Sequence, residues 1–341
     1  MLGGDTHYTS PNGTPGLRQA IVAKLNRDNG LGYETDEVIV GVGGKHIIFH
    51  AMAATLNEGD EVIIHAPYWV SYPDIAKLND ATPVIIPANE SNGFKLTAPE
   101  LEREITAKSK WVISNNPSGA VYTAAELAAL AEVLRRHSHV LVMSDEIYEH
   151  FVYTDAGHVS LIKVAPDLKD RTLLVNRASK GYAMTGWRIG FGAGPQWLIA
   201  AVSKLISQTT TCSTSVSQAA AVAAFAGDQT PIAQMREIYI ERRQYILRLL
   251  AEIPGISFTH PEGAFYVFVN DEGLIGKQTP DGSRFETDAD VVAYLLREGG
   301  VATVGGAAYG MSPYIRFSFA SAITVIEEGC RRIQRSCQTL R

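Results

Sequence analysis

One pattern recurs four times in the first half of the chain: a short apolar run, a polar loop with chemically distinctive side chains, then a helix-like stretch. EVIIH (61–65) leads into Ala66-Pro67-Tyr68-Trp69 and a helix around Pro73 to Leu78. KWVIS (110–114) leads into Asn115-Asn116-Pro117-Ser118-Gly119 and the helix TAAELAALAEVLRRH. HVLVMS (139–144) precedes Asp145-Glu146-Ile147-Tyr148, and TLLVN (172–176) precedes Lys180. Such runs are too short for buried helices and read as buried strands. Strands alternating with helices need crossover connections, which build a mainly parallel sheet flanked by helices. Ligands of such sheets sit beyond the carboxyl ends of the strands. Trp69, Asn116, Asp145 with Tyr148, and Lys180 are therefore expected along one edge.

Those residue types suit one another chemically. A lysine just past a buried strand, with Gly181 beside it, stands where backbone can approach a ligand closely. Lysine is also the side chain that becomes an imine-forming nucleophile once its surroundings lower its pKa. Arg188, eight residues on, is suited to a bidentate grip on phosphate or carboxylate. Upstream, EVIVGVGGKHIIFHAMAATL reads as strand, glycine turn and helix. Its turn Gly41-Val42-Gly43-Gly44-Lys45 matches neither the dinucleotide fingerprint nor the P-loop. Free N–H groups at such a helix start still form an anion site. Singly, each residue has a plainer explanation: core aromatics for Trp69 and Tyr148, a helix cap for Asp145, a turn residue for Asn116. Their convergence is what core packing does not explain.

The alternation ends near Pro195. WLIAAVSKLISQTT, SVSQAAAVAAFAG and PIAQMREIYIERRQYILRLLAEI are helical by period, followed by short strands ISFTH, GAFYVFV, VATVG and YIRFSFA around the helix DADVVAYLLREGG. Mixed strands and helices without a repeat suggest a smaller α+β domain. The polar stretch DEGLIGKQTPDGSRFET is expected to be an exposed, mobile loop. Cys330 and Cys337, seven apart in the final amphipathic helix, are expected to be small core residues. At 341 residues the chain has room for a large domain and a smaller companion. Its net charge of −6 leaves no basic surplus for nucleic acid or an anionic membrane. No 18-residue apolar run is present, the N-terminus lacks the marks of a secretory leader, and three cysteines without metal spacing fit a reducing compartment; a cytoplasmic location is expected.

The segments HAPYWVSYPDI, NNPSGAVY, SDEIYEH, SKGYAMTGWRIGFGAGP, PEGAFYVF and YIRFSFA, in this order and spacing, resemble the pyridoxal-phosphate-dependent aminotransferases of fold type I, class I. The likeness is nearest to the bacterial aspartate and aspartate/prephenate enzymes, and it runs from about Tyr8 to the C-terminus. It implies a large cofactor-binding domain over residues 1–229 and a small C-terminal domain over 230–341. It also implies pyridoxal 5′-phosphate as cofactor, with an amino acid and a 2-oxo acid as small-molecule partners. Lys180 is implied as the Schiff-base lysine and proton carrier, Asp145 as partner of the pyridine nitrogen, and Tyr148 and Asn116 as partners of the ring's phenolic oxygen. Trp69 is implied to stack on the ring, and Arg188 with the N–H groups of Gly44 and Lys45 to hold the phosphate. Arg316 is implied to take the substrate α-carboxylate as a bidentate pair, with Asn116 and Trp69 beside the substrate. Tyr8 matches a tyrosine that reaches the partner subunit's phosphate, which implies a homodimer with shared sites.

Three departures accompany the resemblance. Family chains begin several dozen residues earlier, with an arm and helix completing the small domain, so that part is expected to be missing. KWVISNNPSG is about two residues short before Asn116. The position three before the lysine, often Ser or Gly, is Arg177, which either adds a cation near the phosphate or faces solvent. The implied activity is amino transfer from an L-amino acid, aspartate foremost, to 2-oxoglutarate by a ping-pong route. The alternatives are an aromatic or prephenate aminotransferase, a lyase on the same scaffold, or a cofactor-binding protein that has lost turnover.

Overall fold

The structure, a computed structural model, describes residues 6–87, 89–114 and 117–341. Seven strands make the larger sheet: β1 (Val38–Gly41), β2 (Glu61–His65), β3 (Thr82–Ile86), β4 (Ser109–Ser114), β5 (Leu141–Asp145), β6 (Thr172–Arg177) and β7 (Gly190–Ala193). Their spatial order is β1-β7-β6-β5-β4-β2-β3. The ladder from β3 through β2, β4 and β5 to β6 is parallel, whereas β7 pairs antiparallel with both β6 and β1. β7 is the one reversed strand of this sheet, so its first residue lies at the edge where β1, β2, β4, β5 and β6 end. β2, β4, β5 and β6 are the four apolar runs of the sequence. β3 and β7 lack that signal: β3 carries Pro83 at the sheet's outer edge, where a missing N–H is tolerated, and β7 is the glycine-rich GFGA.

Both faces of the sheet are covered, which is why its strands read as continuous apolar runs rather than alternating ones. On one face Trp111, Ile113, Met143 and Val175 pack against Ile47 and Ala51 of the helix Gly44–Thr55 and Val202 and Ile206 of the helix Gln196–Thr209. On the other, Ile63, Val112 and Val142 pack against Leu127, Leu130 and Leu134 of the helix Ala124–Arg136. No helix of the described residues is long and apolar enough to cross a membrane.

Four short strands, β8 (Ser257–Phe258), β9 (Tyr266–Asn270), β10 (Val304–Gly305) and β11 (Tyr314–Ser318), form a second, antiparallel sheet in the order β10-β11-β9-β8. The helices Thr230–Leu250, Asp288–Gly299 and Ile323–Gln338 cover it, with Cys330 and Cys337 buried among Ile326, Ile333 and Ile315 as expected. The two sheets meet through a cluster of Phe94, Phe268, Tyr309 and Tyr314, with Tyr314 donating from its hydroxyl to Glu90 Oε2 at 2.8 Å. The stretch 271–287 is largely exposed, as expected, but it is anchored at four points. Asp271, Leu274, Thr279 and Phe285 are buried, and Gly276 N–H donates to the Phe285 carbonyl at 2.8 Å while Phe285 N–H donates to that of Lys277 at 3.1 Å. The segment folds back on itself around an aromatic anchor while most of its remaining residues, the turn near Asp281 among them, stay in solvent.

The helix Pro15–Lys24, capped by the Thr14 hydroxyl, buries Leu17 and Ile21 as its periodicity demands. It also buries Lys24, whose ammonium meets Glu149 in an ion pair with both side chains nearly inaccessible. Asn29 Nδ2 donates to Glu149 Oε2 at 2.7 Å and Asn176 Nδ2 to Oε1 at 2.6 Å, so both carboxylate oxygens are satisfied. Burial alone would raise the Glu149 pKa; the charges of Lys24, His150 and His158 outweigh it and bring the carboxyl to about 2. The unfolded group titrates near 4.5. The pair's stabilisation is thus complete above about pH 4.5 and is lost as pH falls toward about 2. We expect urea midpoints of the wild type to fall more steeply below about pH 5 than those of a Lys24→Met/Glu149→Leu double variant. Glu149→Gln alone, which strands the Lys24 charge, should cost about 3–5 kcal/mol near neutral pH.

Candidate active site

The strand ends surround a cavity of about 260 Å³ lined by Lys45, Trp69, Tyr148, Arg177, Lys180, Arg188, Tyr266 and Arg316, with Pro117, Ile147, Ser179 and Thr185 between them. The floor begins where β1 stops. Gly43 takes φ +102, a left-handed conformation reserved for glycine, and starts the helix Gly44–Thr55 without a side-chain cap. A Cβ on Gly190, the first residue of β7, would lie 2.4 Å from the Gly44 nitrogen, so the reversed strand presses directly on this turn. Arg188, just before β7, adopts φ 54° and ψ 52°, a strained choice for a non-glycine residue. Its guanidinium donates to the Thr185 carbonyl at 3.0 Å and the Val42 carbonyl at 3.3 Å. A fixed cation therefore lies beside the N-terminus of a 12-residue helix, an arrangement that attracts a phosphate or carboxylate.

Lys180 follows β6 in the short helix Ala178–Gly181, whose other residues are buried. Its Nζ stands 5.3 Å from the Phe265 ring centroid. Gly181 is required at the next position because a Cβ there would meet His150 Cδ2 at 2.4 Å. Asp145 ends β5 with its side chain fully buried. Oδ2 accepts from the Tyr72 hydroxyl at 2.7 Å and from Arg177 Nη2 at 2.7 Å, while Oδ1 is buried without a partner. Burial and then the facing Asp145 push the Tyr72 phenol well above its ordinary pKa, so it stays a donor.

Trp69 holds one wall. Lys45 Nζ lies 4.8 Å and Arg177 Cζ 5.4 Å from its ring, and Tyr72 meets it edge to face at 5.3 Å. Opposite, the Tyr148 hydroxyl donates to that of Tyr266 at 3.0 Å; burial and the neighbouring Tyr266 raise the Tyr148 pKa. Arg316 on β11 is sandwiched, its Cζ 3.9 Å from the Tyr266 ring centroid and 4.3 Å from that of Tyr309. The rings orient the fork without consuming its N–H donors.

Of the residues singled out in the sequence, Lys45, Trp69, Tyr148, Lys180, Arg188 and Arg316 line this cavity, while Asp145 and Gly44 lie behind its wall residue Arg177. Tyr8 is 88% exposed in the single chain and stands apart from it. Asn116 lies outside the described residues. Arg177 does not face solvent; its side chain is 11% exposed and bound to Asp145. Tyr72, Tyr266 and Tyr309 took no part in the sequence reading, although Tyr72 sits three residues past Trp69 at the start of a helix, a spacing that puts both on one face.

Gly190→Ala should be disruptive because the clashing atoms are backbone on both sides. We expect a loss of about 1–3 kcal/mol in chemical unfolding, larger than for Gly186→Ala, whose Cβ meets nothing within 4 Å.

The model of the family described as aminotransferase class I and II matches residues 2–333. The chain is 47% identical over 340 residues to the aspartate aminotransferase of Rhizobium meliloti (strain 1021), covering 99% of this chain and 83% of that protein. It is 48% identical over 340 residues to the aspartate/prephenate aminotransferase of Cereibacter sphaeroides, covering 99% and 85%. The crystal structure of the Rhizobium meliloti aspartate aminotransferase matches with a TM-score of 0.97 at 46% identity, covering 100% of this chain and 86% of that one. That of the Thermus thermophilus aspartate aminotransferase with maleate matches at 0.91 and 35%, covering 98% and 85%.

Proposed function

The chain belongs to the class I and II aminotransferases, and from that membership we propose that it moves an amino group from aspartate to 2-oxoglutarate at the edge cavity. The observation that carries the proposal is Lys180 and Arg316 on one cavity, with the half-satisfied Asp145 bound to its wall residue Arg177. The names of the relatives supply the donor, and that of the Cereibacter relative favours prephenate as a second acceptor.

Enzymes of this family work through pyridoxal 5′-phosphate, and the donor set fits it. The buried Asp145 Oδ1 lacks a partner and suits the ring nitrogen; the Trp69 indole offers a face for the ring. Arg188 with the N–H groups of Gly44 and Lys45 suits the phosphate, and Tyr148 and Asn116 the phenolic oxygen. When bound, the cofactor supplies an electron sink for negative charge at the substrate Cα.

The chain's own groups do the rest. Arg316, held flat between two phenol rings, grips the α-carboxylate with two parallel N–H donors and fixes where Cα lies. Lys180, on the same cavity, takes the proton from the substrate Cα and carries it for return across the amino nitrogen, as a positioned amine can. Trp69, Tyr148 and Ile147 narrow the cavity and exclude water from the transfer. Tyr8, exposed in one chain, is assigned to the cavity of a second copy in a homodimer, and a cytoplasmic setting suits the small soluble substrates. The large domain over 1–229 and the small one over 230–341 follow the two sheets, supported by their separate cores.

Steady-state assay with aspartate and 2-oxoglutarate is the direct test. Lys180→Ala should lower kcat at least about 10³-fold while the protein still binds cofactor. Turnover of this variant at the wild-type rate would remove Lys180 from the chemistry. Arg316→Lys keeps the charge but loses the fork, and should lower kcat/KM about 10–100-fold, chiefly through KM, for amino acid and oxo acid alike. A kcat/KM for tyrosine above that for aspartate would replace the proposed donor by an aromatic one.

A further inference from the structure

Arg177 lies where the cofactor reading leaves no place for a cation. Its guanidinium is lodged among three walls: Asp145 Oδ2 at 2.7 Å, the Trp69 ring at 5.4 Å, and the turn opening the helix Gly44–Thr55. A Cβ on Gly44 would meet Arg177 Nε at 2.9 Å, so the guanidinium lies directly against this turn. These are the walls assigned to the ring nitrogen, the ring face and the phosphate.

The pair is also unfinished. Asp145 Oδ1 and Arg177 Nε are both buried without hydrogen-bond partners. A permanent buried ion pair satisfies its polar atoms, as Glu149 does with Lys24, Asn29 and Asn176. Leaving one oxygen and one N–H orphaned marks a pair that can exchange partners.

Resting on the pyridoxal-phosphate reading, we propose that Arg177 is a built-in competitor of the cofactor, holding Asp145 in the cofactor-free protein and opposing its capture by the ring nitrogen. Two physical effects work in the same direction. The guanidinium fills part of the space between Asp145 and Trp69 that a stacked ring requires. If it stays on Oδ2 while a protonated ring nitrogen takes Oδ1, two like charges share one buried carboxylate. In the cofactor-free protein the same cation compensates the Asp145 charge and so stabilises the empty fold. A chain of this kind exists in cofactor-free form more readily than one with Ser or Gly at position 177, and loads only as Arg177 lets go. The opposite role, a cation turned to the phosphate, predicts the opposite sign of every effect below on cofactor affinity.

The experiment is a titration of cofactor-free protein with pyridoxal 5′-phosphate, followed by the absorption of the bound cofactor, together with thermal unfolding with and without it. Arg177→Ser should bind the cofactor about tenfold or more tightly than the wild type, because the fraction of molecules with a free Asp145 rises. Without cofactor it should melt at a lower temperature, and the gap between empty and loaded melting points should widen. Arg177→Gln, uncharged but able to donate to Asp145, keeps the question open to test if the Ser variant is poorly folded when empty; it too should bind more tightly. Arg177→Lys, which retains the charge, should stay near the wild type. Unchanged or weaker binding by both uncharged variants overturns the role of Arg177 and leaves the aminotransferase reading standing. No binding by any of the proteins overturns both.

Discussion

Strand polarity is the constraint from which the rest follows. A parallel sheet sends every strand end, and the loop after it, to one edge, and it needs helices on both faces to bury its apolar runs. That polarity brings the ends of β1, β2, β5 and β6 together, although the first of them ends at Gly41 and the last at Arg177. β7 completes the arrangement by running the other way. Because it enters the sheet at the edge where its neighbours leave, Arg188 reaches the turn after β1 from the opposite chain direction. The contact of Gly190 with the backbone of Gly43 and Gly44 is what that reversal demands, and glycine at position 190 is what permits it.

The buried charges sort into two kinds around the same loop. Glu149 is finished: its oxygens meet an ammonium and two amides, and its pKa lies far below the ordinary range for that reason. Four residues earlier in the chain, Asp145 is unfinished, holding two donors on one oxygen and none on the other. Desolvating a carboxylate costs several kcal/mol unless partners offset it. The first therefore anchors the loop after β5 to the helix Pro15–Lys24, and the second keeps a demand for a partner behind the cavity wall formed by Arg177. Burial lowers the tendency of Arg177 to stay charged, but the facing Asp145 and Tyr72 more than offset it, so the competing cation is held in place by the very carboxylate it blocks.

Much of this was legible in the sequence because apolar runs and strand-end loops are local signals. β2, β4, β5 and β6 emerge within two residues of the apolar runs, and the residues after them converge as the topology requires. β3 and β7 escaped because an edge strand with proline and a strand half made of glycine are held by their neighbours rather than by their own composition. The anchors of the stretch 271–287 were missed for a related reason: its polar letters conceal Leu274 and Phe285, spaced too far apart to show a period. Lys24 and Arg177 were the least legible. A lysine at the end of an amphipathic helix and an arginine at the end of a strand look like solvated charges until their partners, 125 and 32 residues away, are placed against them.

The grip of Arg316 shows how a functional geometry can rest on packing between sheets. Arg316 belongs to β11, whose alternation puts Ile315 and Phe317 into the core of the smaller sheet and Arg316 on the other side, toward the cavity. One of its flanking rings, Tyr266, comes from the adjacent strand β9, directly opposite Ser318 in the register. The other, Tyr309, lies in the aromatic cluster with Phe94 of the larger sheet's loops, and its carbonyl accepts from the Tyr68 N–H at 3.1 Å, one residue from Trp69. The fork is thus aimed by contacts from both sheets at once. Both rings come from the smaller sheet's side, Tyr266 on β9 and Tyr309 in the turn Gly306–Tyr309 before β11, and the loop after β2 holds the second of them from outside. The orientation of this guanidinium therefore depends on aromatic packing that links the two sheets.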